Sequence, residues 1–242
     1  MNDAVVRNLH LKCCPARTPE KFIFSVKVPQ SITHEKVLAD CDAELVEFLK
    51  TMDLLGPKLG PMVFQFSAFD RWKFPTQKHF LEVLAPFLEK LPKNCKFAVE
   101  VRNRGWLNAT FEVLRERSVA LVLQDISNMP GFAELKKKFD PITANWTYIR
   151  WLGDRKGIEK LTMTWGKAVV DRTSELSSWV DYCYQIKKRG VMVYAYANNH
   201  YAGHGPATIA QFTKLWNAKG FPLIEQPEVT RHEKPERTLF PM

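Results

Sequence analysis

Six short runs along the chain are apolar or alternating and rich in β-branched and aromatic residues: FIFSVKVP from Phe22, PMVFQF from Pro61, FAVEVR from Phe97, ALVLQD from Ala120, WTYIRWLG from Trp146 and VMVYAYANN from Val191. Runs of this length and make-up predict strands. Between most of them the apolar positions change to a helical period. Val37, Leu38, Cys41, Leu45, Phe48 and Leu49 share one face of a helix that Thr33 is placed to cap. Leu176, Trp179, Val180 and Cys183 do the same after Thr173 or Ser174, and Ile209, Phe212, Leu215 and Trp216 follow Pro206 at a first-turn position. The segment from Thr76 to Leu91 has helical pattern, with Pro86 expected to kink or divide it.

Strand and helix in alternation imply an α/β fold with a parallel sheet, either doubly wound or closed as a barrel. No repeat, linker or composition shift interrupts residues 1–219, which read as one domain. Residues 220–242 carry four prolines and many charges without period, and read as an irregular tail, with Phe221, Leu223 or Phe240 as anchors.

Parity then sorts each strand into two faces. In FAVEVR, Phe97, Val99 and Val101 form an apolar set, and Ala98, Glu100 and Arg102 the other. The same sorting places Lys27 with Ile23 and Ser25, Gln65 with Val63, Asp125 with Leu121 and Leu123, Arg150 with Tyr148, and Asn198 with Tyr194 and Tyr196. Each polar residue falls at or near the carboxyl end of its strand, where open α/β sheets and barrels place their ligand sites. The alternative is a buried ion-pair network, Glu100 with Arg102, Lys27 or Arg150, kept for structure.

The runs FIFSVKVPQSITH, LGPKLGPMVFQF, AVEVRNRGW, YIRWLG and VYAYANN resemble the YecE-like family, over roughly Thr18 to Trp216. The resemblance implies a TIM-type (β/α) barrel with polar residues gathered at the carboxyl ends of the strands, and no established activity. The family's recurrent polar residues fall on Lys27, His34, Gln65, Glu100, Arg102, Arg150 and Asn198. Two departures stand out. The family begins with a further strand, helix and strand for which this chain has no room, so about six of the eight strands of a barrel are expected. Ala4 to Lys12 could add one short strand; otherwise the barrel is open, another chain closes it, or the reading frame lacks its true start. The second departure is QFSAF, which lacks the prolines that follow the Gln in the family.

Candidate chemistry divides accordingly. Glu100 beside Arg102 stays ionised and is a candidate general base, or else a salt bridge. Lys27 is a Schiff-base or anion-binding lysine if desolvated, or a charge-balancing one. His34 follows a strand directly and could donate to an anion there, or sit on the surface near a helix start. Arg102 and Arg150 form a bidentate clamp for carboxylate or phosphate, with Gln65, Asp125, Asn198 and Asn199 as ligand-orienting groups. Asn198 and Asn199 are also good turn residues. His200 and His204 could hold a divalent metal with Asp125 or Glu100, but their spacing has no geometric meaning off a helix, so no metal and no other cofactor is expected. The loop GDRKGIEKLTMTWGKAVVDR is either a lid or an insertion with Trp165 packed down.

A net charge of +9 raises nucleic acid as a partner. The dense clusters Lys136–Lys138 and Lys187–Arg189 precede strands, however, which places them at the opposite face, where they suit helix ends. Cys13, Cys14, Cys41, Cys95 and Cys183 lack paired metal-site spacing and indicate a reducing compartment. With no apolar run of membrane length and no signal-peptide start, a soluble cytoplasmic protein is expected. The leading expectation is binding of a small anionic or phosphate-bearing ligand with hydrolase-like acid/base chemistry. The alternatives are a non-catalytic module for nucleic acid or a phosphate polymer, and a partial barrel that needs a partner, including a second copy of itself across open edges.

Overall fold

The computed structural model describes residues 15–70 and 72–222. The expected strand at Ala4 to Lys12, Cys13, Cys14, Leu223, Phe240 and most of the tail lie outside those residues. Six parallel strands occur in chain order, β1-β2-β3-β4-β5-β6: β1 Phe24–Lys27, β2 Leu59–Gln65, β3 Phe97–Glu100, β4 Ala120–Ile126, β5 Trp146–Gly153 and β6 Met192–Ala197. Four fall within their predicted runs, while β2 starts two residues earlier, at Leu59, and β4 runs one residue further, to Ile126. Helices separate them: α1 Asp42–Asp53, α2 Gln77–Glu89, α3 Leu107–Glu116, α4 Phe132–Lys138, α5 Arg155–Leu161, α6 Thr173–Lys188, and after β6 the short α7 Asn199–Ala202 and α8 Gly205–Ala218. This is the alternation of a TIM-type barrel with six of its eight strands among the described residues.

Backbone contacts group the described chain into two compact units, residues 15–66 with 78–97, and residues 67–77 with 98–222. In the first, β1 pairs with β2 in the register Phe24↔Leu59, Val26↔Met62 and Lys27↔Val63, with an irregularity between Phe24 and Val26. Gly60 permits that irregularity, since a Cβ there would stand 2.3 Å from Ile23 Cγ2 and 2.8 Å from the Phe24 carbonyl oxygen. Met62, Phe64, Phe66, Phe80, Leu84 and Leu88 are fully enclosed and form this unit's core. Burial of these apolar groups is the main favourable term in folding. Pro86 does not divide α2, which runs on to Glu89 with Phe87 and Leu88 buried beyond the proline, although the ring removes one backbone donor there.

The helix expected from Val37 begins later, at Asp42. A five-residue π-helical turn, Ser31–Glu35, comes first, and Val37, Leu38 and Asp40 then take positive φ. Val37 and Leu38 remain buried, so their apolar character signals core position and not helical phase. Thr33 bonds the Pro29 carbonyl and the His34 ring, and caps no helix.

In the second unit, β4 pairs with β5 as Val122↔Tyr148 and Gln124↔Arg150, and β5 with β6 as Tyr148↔Tyr194 and Arg150↔Tyr196. One face of this sheet packs beneath helices through Leu121, Leu123, Ile149 and Trp151, joined by Leu176, Trp179 and Val180 of α6 and Phe212 and Trp216 of α8. Phe221 stacks on Tyr184 at 3.8 Å, which anchors the chain just beyond α8.

Candidate functional site

β3 delivers Glu100 to the face opposite the helices, and Arg102 follows on the same parity. The Glu100 side chain is 0% exposed, and Oε1 accepts from both Nε and Nη2 of Arg102 at 2.9 Å. Oε2 accepts from Nη1 of Arg150, which reaches it from β5. A carboxylate cannot be enclosed at tolerable cost without such partners. The arginines are less enclosed, with side chains 31% and 22% exposed. The cluster is therefore a buried anion gripped by two cations that face outward.

Gln124 lies on β4 between them, in register with Arg150, and is 5% exposed. Its Nε2 donates to the Val101 carbonyl at 2.6 Å, and its Oε1 has no partner among the described residues. Gln124, and not the expected Asp125, is the residue that β4 turns toward this cluster.

Asp125 does occupy the helix side. Its Oδ2 accepts from Trp179 Nε1 at 2.8 Å and from the Tyr201 hydroxyl at 2.9 Å, and the structure does not bring it together with Glu100 and the arginines. Burial, then the Asp125 charge and hydrogen bond, push the Tyr201 hydroxyl pKa well up. Asn198 follows β6 directly, and its Oδ1 accepts from the backbone N–H of His200 at 2.9 Å and from His200 Nδ1 at 2.8 Å. Asn199 Oδ1 accepts from the Gly205 N–H at 2.8 Å. Both asparagines thus have local structural work at the starts of α7 and α8.

Lys27, His34 and Gln65 belong to the first unit. Lys27 is exposed, without the desolvation that a Schiff-base lysine requires. His34 lies in the short turn after β1, its Nδ1 at 2.7 Å from Thr33 Oγ1. Gln65 closes β2 and is half-buried.

The long segment after β5 is packed down. Gly153, at φ +69, ends the strand, and a Cβ there would meet the His200 carbonyl oxygen at 2.5 Å. That close approach docks α7 against β5. The N–H groups of Val169 and Val170 donate to the Ala202 carbonyl at 2.7 and 3.2 Å, and Trp165 meets the His200 ring edge-on at 4.8 Å. His200 Nε2 stands 3.3 Å from Glu159 Oε1 on α5. The Arg155 hydrogen bond, opposed by burial and reinforced by the Arg155 charge and then His200, holds the Glu159 carboxyl below its usual range. Beside α5 a cavity of about 250 Å³ is lined by residues that include Asp154, Lys160 and Arg172. Among the described residues no three His, Cys, Asp or Glu side chains gather as a metal-ligand set, and no helix is long and apolar enough to cross a membrane.

Comparison with known proteins gives a consistent result. Residues 11–233 match the family model described as "Protein of unknown function DUF72". The UPF0759 protein YecE of Escherichia coli K12 is 34% identical over 88 residues, which are 36% of this chain and 30% of YecE. The match therefore spans less than a third of YecE's length. A DUF72 family protein of Thermotoga maritima MSB8 superposes with TM-score 0.61 at 24% identity, over 84% of this chain and 76% of that one. One from Enterococcus faecalis V583 gives 0.63 at 19%, over 87% and 84%. At these identities the likeness is one of fold. With the family model matched along most of its length, the chain belongs to the DUF72 family, of which YecE is a relative.

Proposed function

We propose that this protein binds a small anionic ligand, phosphate- or carboxylate-bearing, at the carboxyl ends of β3 to β5, with Arg102 and Arg150 as the recognising pair. One observation carries this reading: two guanidinium groups share one enclosed carboxylate. The two guanidinium groups converge from different strands on side chains that reach solvent, an arrangement suited to gripping a carboxylate or phosphate in bidentate fashion. Glu100 pre-organises the fork geometry, which lowers the cost of binding.

Hydrolase-like chemistry takes second place within this reading. Glu100 has both oxygens occupied, so it serves as the group that positions the arginines, and proton transfer passes to it only when a ligand draws one guanidinium away. A cytoplasmic location accompanies the reading, supported by free thiols at Cys41, Cys95 and Cys183.

Calorimetric titration with pyrophosphate tests it. The expected outcome is saturable binding at a single site, weakened about tenfold or more in Arg102→Lys, which keeps the charge but loses the fork. Binding that ignores Arg102→Lys and falls steeply with salt would assign the anion to surface lysines instead.

A further inference from the structure

Trp72 is 94% exposed, the most exposed large apolar side chain among the described residues. A tryptophan left in water forgoes the large stabilisation its burial brings, so its position needs a cause. The backbone beneath it is well held. Asp70 Oδ1 accepts from the N–H of Trp72 at 3.1 Å and of Lys73 at 2.9 Å. The Asn103 amide clips Phe69 in both directions, Oδ1 to its N–H and Nδ2 to its carbonyl, each at 2.9 Å. Below, Phe69 stacks on Trp106 at 5.9 Å and Phe74 packs edge-on against both rings. Three aromatic rings form the base of this loop while the fourth is held out.

Asn103 is also the neighbour of Arg102. Chain geometry thus places Trp72 within roughly 20 Å of the arginine pair, at the same carboxyl end of the strands. Trp72 is flanked in sequence by Arg71 and Lys73, and Lys73 is exposed with no ion pair among the described residues. A flat apolar ring beside an exposed cation, one loop away from an anion clamp, matches a ligand that carries phosphates and exposed aromatic faces in alternation.

We infer that the ligand is single-stranded nucleic acid, a phosphate seated at Arg102 and Arg150 and an unstacked base lying on Trp72. This rests on the anion-binding reading above. A duplex does not offer a base face to Trp72, because its bases are stacked on each other, whereas single strands are commonly bound by a basic track with aromatic platforms. A bare phosphate polymer has no ring to use Trp72 at all.

The test is fluorescence anisotropy of a labelled twelve-residue oligothymidylate with the full chain, inorganic polyphosphate serving as competitor and as a separate ligand. Trp72→Ala is expected to weaken oligonucleotide binding about five- to a hundredfold and Trp72→Phe to restore most of it. Polyphosphate affinity is expected to be indifferent to Trp72→Ala and reduced by Arg102→Lys. The exposure of Trp72 makes its variants safe for folding. Oligonucleotide binding unchanged in Trp72→Ala overturns the inference. So does polyphosphate binding through Arg102 without oligonucleotide binding, an outcome that leaves the anion site standing. Binding of neither polymer overturns both.

Discussion

At the residue scale the central group is Glu100. Removing its charge leaves Arg102 and Arg150 with an acceptor too few in a partly enclosed place. Glu100→Gln, which keeps volume, is expected to cost about 3 kcal/mol, the lower end for a broken buried pair because both arginines reach solvent. Urea denaturation reads this directly, and an unchanged midpoint would mean that the cluster does not hold the fold. Asp125 makes the contrast. Asp125→Ala strands the Trp179 N–H and the Tyr201 hydroxyl in the core, and should cost about 2 kcal/mol or more while leaving pyrophosphate affinity unchanged. If Asp125→Ala abolished binding without loss of stability, the residue would belong to the site after all.

These two carboxylates also mark what sequence could reveal. Glu100, Arg102 and Arg150 were legible because a charged residue on a strand that is otherwise apolar has few reasons to exist. In ALVLQD two polar residues are adjacent, and period alone cannot say which faces the helices; only the register Gln124↔Arg150 decides. The Asn103 clip and the Glu159–His200 contact join residues 34 and 41 positions apart, a separation that no local pattern encodes.

At the scale of elements, the strands were readable to within a few residues, since burial on the helix face imposes a strict period. The start of α1 was not, because Val37 and Leu38 are buried outside a helix with positive φ. Gly153 governs the docking of α7 on β5. Gly153→Ala combines strain at positive φ with a backbone clash, and is expected to cost more than about 2 kcal/mol and to raise amide exchange across Asn199–Ala202. Ordinary exchange there would show that the contact is dispensable.

The C-terminal end of α6 is tied to the segment before β5 by Arg189 and Asp140, with contacts at 2.5 and 3.1 Å. Burial raises the Asp140 pKa, but the Arg189 hydrogen bond, the Ile142 N–H and nearby cations outweigh it and set it below the ordinary value. A depressed carboxylate contributes above its unfolded pKa of about 3.9, and the contribution is lost as pH falls through the lower folded value. Asp140→Asn should therefore cost under about 1 kcal/mol at neutral pH, as exposed pairs do, and progressively less as the pH falls below about 3.9. A cost that persists undiminished at pH 2 would point to lost hydrogen bonds in place of charge.

At the scale of the molecule, the charge of +9 is distributed unevenly in purpose. Lys136–Lys138 and Lys187–Arg189 close α4 and α6, where Lys138 meets Glu134, Lys136 meets Gln185 and Arg189 meets Asp140. Cations in a last helical turn complement the helix dipole, so these clusters have a structural explanation. Arg102 and Arg150 instead meet at one enclosed carboxylate from different strands, with both side chains reaching solvent. That outward-reaching pair as an anion site is the central claim. Soaking crystals with tungstate, whose anomalous signal locates an oxyanion, tests it most directly. The account predicts a peak whose oxygens lie about 2.7–3.2 Å from the Arg102 and Arg150 guanidinium nitrogens. Peaks at Lys136–Lys138 or Lys187–Arg189, with the arginine pair vacant, would contradict it.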